Sequence, residues 1–595
     1  MNKLNKIPVY FLCLMVFSLF FLYSCNDEPD NPNVDPPIVV NDPILQNITK
    51  EIVNNNLVIN YNYDLSENNK SVIVTIDNLS KCYQDYLKFN PDYKELTEND
   101  WLCLYVYNYE NNDLNYEYEL LKDNTYAIKS FKNIDNIKNI VLPSYYNNHH
   151  ITKINTKVFS QSTIDSIEIS DYINNIDNQA FSFSTVKNVI VNKNNKNDIH
   201  FGEEVFAYCS SLESVTFSVN QSKIAYGNFS YANKLETLIN TDNIKEVEDD
   251  AFFQCSSLKT TEFIKNLKKL GQRAFYNCSS ITSVYLNDEL EELSDQVFFQ
   301  CVNLENVRFG SKLTYLGNEA FSGCVKLVDL NLTDNIELID SDCFNGCIGI
   351  TKVVFPANLN SLASSVFKNC SGIEEVIVNE GLVDIGSCCF IHCVNLVSLK
   401  LSSTITHFGL DCFSGCTSLK EVVLPPNMRD VYDSSFTGCT ALEKINIPEH
   451  VILIGGSAFN NCNLKEVIIP KACANIMPNA FKGNNNLQKI TINYIGQRTT
   501  DDTIFVDIFG GNVPTSLKEV IITSSCDIIK NNAFKKCSNI ETITFSNSVK
   551  TIGKDAFTGL TNIKTIYFDG TIEELNNIDI DESNQEFIKM ITCLK

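Results

Sequence analysis

The chain has 595 residues, 44% of them hydrophobic, and a formal charge of −25 at pH 7. That balance excludes nucleic-acid binding, which needs basic patches to displace counterions, and electrostatic docking on anionic lipid. The acidic excess reads as a solubility device, and a chain this long is either several domains or an array whose units bury their cores against neighbours.

Lys3 and Lys6 precede an apolar run from Ile7 to Leu22, too short and too near the terminus for a membrane span. Leu22-Tyr23-Ser24-Cys25 follows directly. A Leu three residues before a Cys, with a small Ser directly before it, resembles the bacterial lipoprotein signal. The resemblance implies cleavage after residue 24 and a diacylglycerol plus an N-acyl chain on Cys25, enough acyl chains for stable anchoring. A plain cleaved signal or a signal anchor is the alternative. Residues 25–43, rich in Pro, Asn and Asp, are expected to form an extended tether. Asp27 and Glu28 resemble the surface-export signal of gut-type Gram-negative lipoproteins, which implies an outer-membrane protein facing the exterior.

Residues 44–112 carry no repeat signature. Segments 57–65, 71–79 and 101–109 read as strands from their β-branched and aromatic residues, and 82–96 as a short helix. A small β-rich or α+β domain is expected, with Trp101, the sole Trp, in its core.

From residue 113 to 595 the sequence is periodic. Phe206 through Phe459 mark eleven consecutive steps of 23 residues, extended backwards to Phe181 and Phe159 and forwards to Phe481, Phe509, Phe534 and Phe557. In the unit that starts at Ala320, Phe321 fills the interior and Cys324 follows. Leu327, Leu330 and Leu332 then give the L-x-x-L-x-L strand of a leucine-rich repeat. Alternation sends Leu330 and Leu332 inward and Asp329 and Asn331 outward. The inward slots recur as Val353/Phe355, Val376/Val378, Leu399/Leu401, Val422/Leu424 and Ile445/Ile447. The fold class is therefore a β-rich leucine-rich-repeat solenoid of about 17 coils, its strands about 4.8 Å apart in a parallel sheet along one face. Ala-Phe-x-x-Cys-x-x-Leu with Ile-Gly upstream (Ile385-Gly386, Ile552-Gly553) resembles the BspA-like bacterial family. Residues 118–131 look like its N-terminal capping hairpin and 570–593 like its exit cap. The 28-residue step from Phe481 to Phe509 predicts a bulged loop.

Twelve cysteines, Cys209, Cys255 and so on to Cys462 and Cys537, occupy one slot. They read as buried thiols, because in-register parallel side chains point the wrong way to bridge. Cys343, Cys389 and Cys412 take the small-residue slot before Phe. No four ligands converge for zinc, and no metal or cofactor is expected. The six His stand in no recurring relation to an acid and a nucleophile, and Walker, HExxH and GxSxG motifs are absent. A non-enzymatic binding protein is the expectation.

Its binding face is expected on the outward strand slot ten residues after each Phe: Tyr285, Arg308, Val354, Ile377, Lys400, Val423, Asn446 and, one residue short, Ile468. Family resemblance implies a cell-surface adhesin for host or bacterial proteins. The alternatives are a glycan-capture or scaffold lipoprotein beside a nutrient-uptake system and a periplasm-facing structural lipoprotein. Glycan binding favours aromatic platforms, and the outward slots offer only Tyr285 and Tyr567.

Overall fold

The computed structural model describes residues 45–53, 56–63, 70–75 and 116–595, except 133–138, 144, 147–148, 171, 192–194 and 494–504. Cys25, the tether, the 82–96 helix and the 101–109 strand with Trp101 lie outside the described residues. Within 44–112, β1 (Leu45–Val53), β2 (Asn56–Tyr63) and β3 (Lys70–Thr75) form an antiparallel sheet in that order. The strands expected at 57–65 and 71–79 are β2 and β3; β1 was not foreseen. The chain divides into two compact units, Met1–Cys278 and Ser279–Lys595.

In the first unit β4 (Tyr116–Leu120) and β5 (Tyr126–Phe131) make the expected capping hairpin. From β5 the chain begins to wind, because β5 pairs in parallel with His149–Ile154. Thereafter each coil lays one strand on a main column. Asn139–Val141, Ser166–Ile169, Asn188–Val191, Ser214–Thr216 and Thr237–Ile239 pair in parallel in that order. The winding totals about 19 turns, more than the phenylalanine spacing suggests. The caps account for the difference, since β5 at one end and Ile591–Cys593 at the other continue the parallel pairing.

The second unit shows a feature the sequence reading did not resolve. Each coil carries a further two-residue strand where Ile-Gly or its equivalent stands. Glu292–Leu293, Tyr315–Leu316, Leu338–Ile339, Ser361–Leu362, Asp384–Ile385 and His407–Phe408 pair without a break. The main column, expected to be continuous, is interrupted instead. Ser283–Tyr285 pairs with Asn306–Arg308, but the next coil offers only a single bridge from Asn306 to Asp329. Pairing resumes at Lys352–Val354, Glu375–Ile377 and Ser398–Lys400, then at Glu421–Val423 with Lys444–Asn446. It resumes again from Glu466–Ile468 to the exit cap. Where the ladder is thin, the inward slots are less well covered: Leu332, Leu399, Leu401 and Ile445 are half-buried rather than buried as expected. Leu332 follows Asp329 and Asn331, and such polar residues without β-branching are poor strand formers.

The third side of each coil is built from tight turns around the buried Phe. Residues two before and two after it take left-handed conformations, as at Glu319 (φ 52°) and Gly323 (φ 76°) around Phe321. This alternation aims the N–H groups of Glu319, Phe321 and Gly323 at the carbonyls of Ser341, Cys343 and Asn345 one coil on, at 3.0, 2.9 and 2.7 Å. The backbone groups left over by the absence of a regular helix are thereby satisfied between coils. From Phe298 to Phe481 successive rings stack with centroids 5.4–5.6 Å apart. Each fully buried Phe contributes about 1.5–3 kcal/mol of burial and each stacked pair about 0.5–1.5 kcal/mol more. The expected bulge, 494–511, is described only from residue 505, where the 3-10 turn Phe505–Phe509 closes the enlarged step and buries Phe505 and Phe509; residues 494–504 lie outside the described residues.

Candidate functional site

The interior is spent on structure. Cys209, Cys255, Cys324, Cys347, Cys370, Cys393, Cys416, Cys439 and Cys462 are buried free thiols, as expected. Their packing is more specific than that of small hydrophobes. Each Sγ–H donates to the backbone carbonyl of the buried Phe one coil earlier, at 3.0–3.4 Å. At the same slot Asn484 supplies Nδ2, which donates to the Phe459 and Phe481 carbonyls at 2.8 and 2.9 Å. In most coils the slot therefore holds a compact donor, and Cys meets that role while remaining apolar; Ala232 and Leu560 fill it as plain hydrophobes. Burial pushes the Cys370 and Cys439 thiols up to about 12, so they are protonated and unreactive at neutral pH.

No group of three His, Cys, Asp or Glu side chains able to hold a metal ion occurs among the described residues. His407 does meet an acid and a hydroxyl, Asp384 Oδ1 at 3.1 Å and Thr406 Oγ1 at 2.7 Å. Both meet Nδ1, whereas a hydrolase relay needs the acid on one ring nitrogen and the nucleophile on the other. The cluster is an exposed surface contact without relay geometry.

The outward strand residues fall into short sheets of the second unit. Val354, Ile377 and Lys400 are register partners, as are Tyr285 with Arg308 and Val423 with Asn446, while Ile468 stands beside Thr491. Val423 is 68% exposed, Ile468 59%, Tyr285 55% and Val354 40%. Arg308, Lys400 and Asn446 are exposed too, and only Ile377 is half-buried. Several neighbouring charges are occupied with one another. Glu375 sits between Lys400 (2.7 Å) and Lys352 (2.9 Å), and those two ammonium groups hold its carboxyl down at about 2. Lys465 pairs with Glu443 at 2.6 Å, Arg308 with Asp288 at 3.3 Å, and Lys518 with Glu541 at 3.2 Å. The face thus sets paired charges and exposed aliphatic side chains side by side.

The sequence reading missed a second surface. Phe183, Tyr208, Tyr231, Phe253 and Tyr276, in the turns of the first unit, form a coil-to-coil row of rings. Three of its five rings, Phe183, Tyr208 and Tyr231, share the slot two residues after a buried Phe, a periodicity the sequence carries.

Stacked 23-residue coils with an L-x-x-L-x-L strand, a buried Phe ladder and caps at both ends define a leucine-rich-repeat solenoid. The model of the BspA type leucine rich repeat region (6 copies) matches residues 124–259, 222–351, 337–462, 410–508 and 453–585. The chain belongs to that family. Among solved structures it is similar to a leucine-rich repeat protein from Bacteroides ovatus ATCC 8483, at 23% identity and a TM-score of 0.50, over 64% of this chain and 93% of that one. A leucine rich cell surface protein from Faecalibacterium prausnitzii A2-165 matches at 18% identity and a TM-score of 0.29, over 79% of this chain and 97% of that one. The pneumococcal vaccine antigen PcpA matches at 16% identity and a TM-score of 0.27, over 81% and 98%. No curated protein is similar to the chain at a significant level.

Proposed function

We propose that the protein is a non-enzymatic adhesin that binds host or bacterial surface proteins through the outward strand residues of its second unit. The supporting observation is the row of exposed aliphatic side chains, Val354, Val423 and Ile468 foremost, on strands where several of the neighbouring charges are paired between coils. A large exposed apolar side chain gains nothing from water, and repetition along an array is how such proteins assemble an extended interface from weak contacts. Lipidation at Cys25 and display on the outer membrane's exterior complete the proposal, resting on the Leu22–Cys25 motif and the acidic residues after it. Membrane contact is then through acyl chains alone, and no cofactor takes part.

The test is surface plasmon resonance of the purified solenoid against a panel of host matrix and bacterial surface proteins. Val354→Lys, Val423→Lys and Ile468→Lys together should weaken binding at least tenfold while the circular dichroism spectrum stays unchanged. Absence of binding across the panel, or binding that survives the triple variant, refutes the reading. Protease shaving of intact cells should release the solenoid together with a surface marker. Cys25→Ala should leave the protein unprocessed or soluble.

A further inference from the structure

The outward positions of the second unit's strands repeat every two coils rather than every one. Residues 420–423 read Lys-Glu-Val-Val and 443–446 Glu-Lys-Ile-Asn. Lys-Glu-Val-Ile follows at 465–468, Gln-Lys-Ile-Thr at 488–491 and Lys-Glu-Val-Ile at 518–521. The third residue of each set points inward, so the others form three columns down the face. The first two columns carry Lys and Glu in opposite phase, Gln488 excepted, and the last alternates an aliphatic side chain with a polar one. Packing between coils accounts for only part of this. Like charges directly opposite in a ladder are destabilising, and alternation lets Lys465 reach Glu443 at 2.6 Å and Lys489 reach Glu519 at 3.4 Å. Yet Glu421 and Lys444 are exposed and make no ion pair among the described residues. Val423 and Ile468, two coils apart, are each more than half exposed.

We propose that this face docks on the same face of a second copy of the chain, with the coils of the two copies running in opposite directions. The two-fold axis lies along the strands, midway between Asn446 and Ile468. Reversing an alternating row about a point between two of its members sets opposites face to face all along it. Lys465 then meets the partner's Glu443, Glu466 the partner's Lys444 and Glu421 the partner's Lys489. In the third column Ile468 sits over the partner's Asn446 and Val423 over the partner's Thr491. The aliphatic side chains of the two copies thereby interleave in one row. Such a contact is isologous, one patch serving both partners. Only an identical array shares the coil spacing of about 4.8 Å and keeps this match over successive coils. Two chains of charge −25 also repel, whereas residues 420–423, 443–446 and 465–468 hold three Lys and three Glu, so here they can approach. Five coils of about 4.8 Å, each about 13 Å wide, cover on the order of 300 Å², below the roughly 800 Å² per partner of a stable complex. Each contact is therefore weak and gains strength when many chains act together, as between two facing cells. The proposal rests on the outward strand residues being the adhesive face, and names a second copy as the partner there.

Sedimentation velocity of the purified full-length protein tests it, at concentrations up to about 200 µM, where a contact of this area should populate dimers. Lys444→Glu and Glu466→Lys should each raise the dimer Kd at least tenfold, because either one sets like charges face to face on both sides of the axis. Their circular dichroism spectra should match that of the native protein. Mixing the two variants should restore association, since each then meets an opposite charge at both contacts, and so should the double variant. A native protein that stays monomeric, single variants that dimerise as it does, or a mixture that fails to recover overturns the proposal. A monomeric protein that still binds a panel protein through Val423 and Ile468 overturns the pairing and leaves the adhesive face standing.

Discussion

The thiol of Cys347 donates to the carbonyl oxygen of Phe321, 3.1 Å away and one coil earlier. The same oxygen accepts the backbone N–H of Cys324 at 3.1 Å within its own coil. From Phe298 to Phe436 each buried Phe carbonyl thus joins its own turn to the next coil. A repeat array holds together through such nearest-neighbour terms.

Cys347→Ala should therefore cost about 1–3 kcal/mol, from a lost hydrogen bond and a small cavity. Cys347→Ser should cost less, because a hydroxyl still donates at this slot: near the N-terminal cap Ser162 fills it, and its Oγ donates to the carbonyl of its own coil's Phe159 at 2.7 Å. Thermal melts of the two variants check the order. Equal loss in both would show that apolar volume alone matters at the slot.

Alkaline pH should destabilise the protein more steeply than its acidic composition suggests. Burial raises Cys370 and Cys439 from an ordinary thiol value of 9.0 to about 12. The unfolded chain then releases these protons from about pH 9, while the folded chain holds them to about pH 12. The stabilisation is complete below pH 9 and falls across that window by about 1.4 kcal/mol per pH unit for each thiol. Urea midpoints at pH 8, 9.5 and 10.5 measure the slope, and Cys370→Ser with Cys439→Ser should flatten it. In native protein at pH 8 these thiols should also resist a disulfide reagent that labels them in denaturant.

Much of this was legible in the sequence because the 23-residue period is strict. Phe321, Cys324 and Leu327 recur so regularly that a ladder is the only way to bury them. The Asp384–Ile385 strand beside Gly386 was not legible as a strand, since two residues are too short to show alternation. Nor was the interruption at Asp329, where Leu330 and Leu332 fill the same slots as in paired coils. The left-handed turns were hidden for a different reason: Glu319, Cys388 and Asp411 take them without being glycine. Interlocked neighbours hold those residues in place against a preference that composition alone would have followed. The candidate face was legible as a set of positions, but its division into Val354–Ile377–Lys400 and Val423–Asn446 depends on pairing that only coordinates reveal.

The ion-pair ladder on that face should matter little to folding. Glu375 and its two lysines are solvent-accessible, and pairs of this kind contribute little once side-chain entropy and screening are counted. Glu375→Ala should leave the melting temperature within the spread of replicates at physiological salt. An NMR titration should show Glu375 still ionised at pH 4, where ordinary glutamates are largely protonated, because its carboxyl is held at about 2. Titration of Glu375 in the ordinary glutamate range would mean that the two lysines do not hold it in solution.

Glycine substitutions separate backbone strain from crowding. Gly346 has φ of 74°, and a Cβ there would meet nothing within 4 Å. Gly346→Ala should thus cost only the left-handed penalty, about 1–2 kcal/mol. Gly346→Asn should cost less, because Asn369 holds the same slot one coil on with φ of 60°. Gly409 has no positive φ, yet a Cβ there would lie 2.2 Å from the Ser387 backbone nitrogen. Two coils must part to admit it, so Gly409→Ala should cost at least about 1–3 kcal/mol of overpacking and open the short strand His407–Phe408 to hydrogen exchange. Hydrogen exchange distinguishes the two: Gly346→Ala should leave protection at Phe408 intact, and Gly409→Ala should abolish it. Equal protection in both variants would mean that the coils are looser than the 2.7 Å bond from the Gly409 N–H to the Ile385 carbonyl implies.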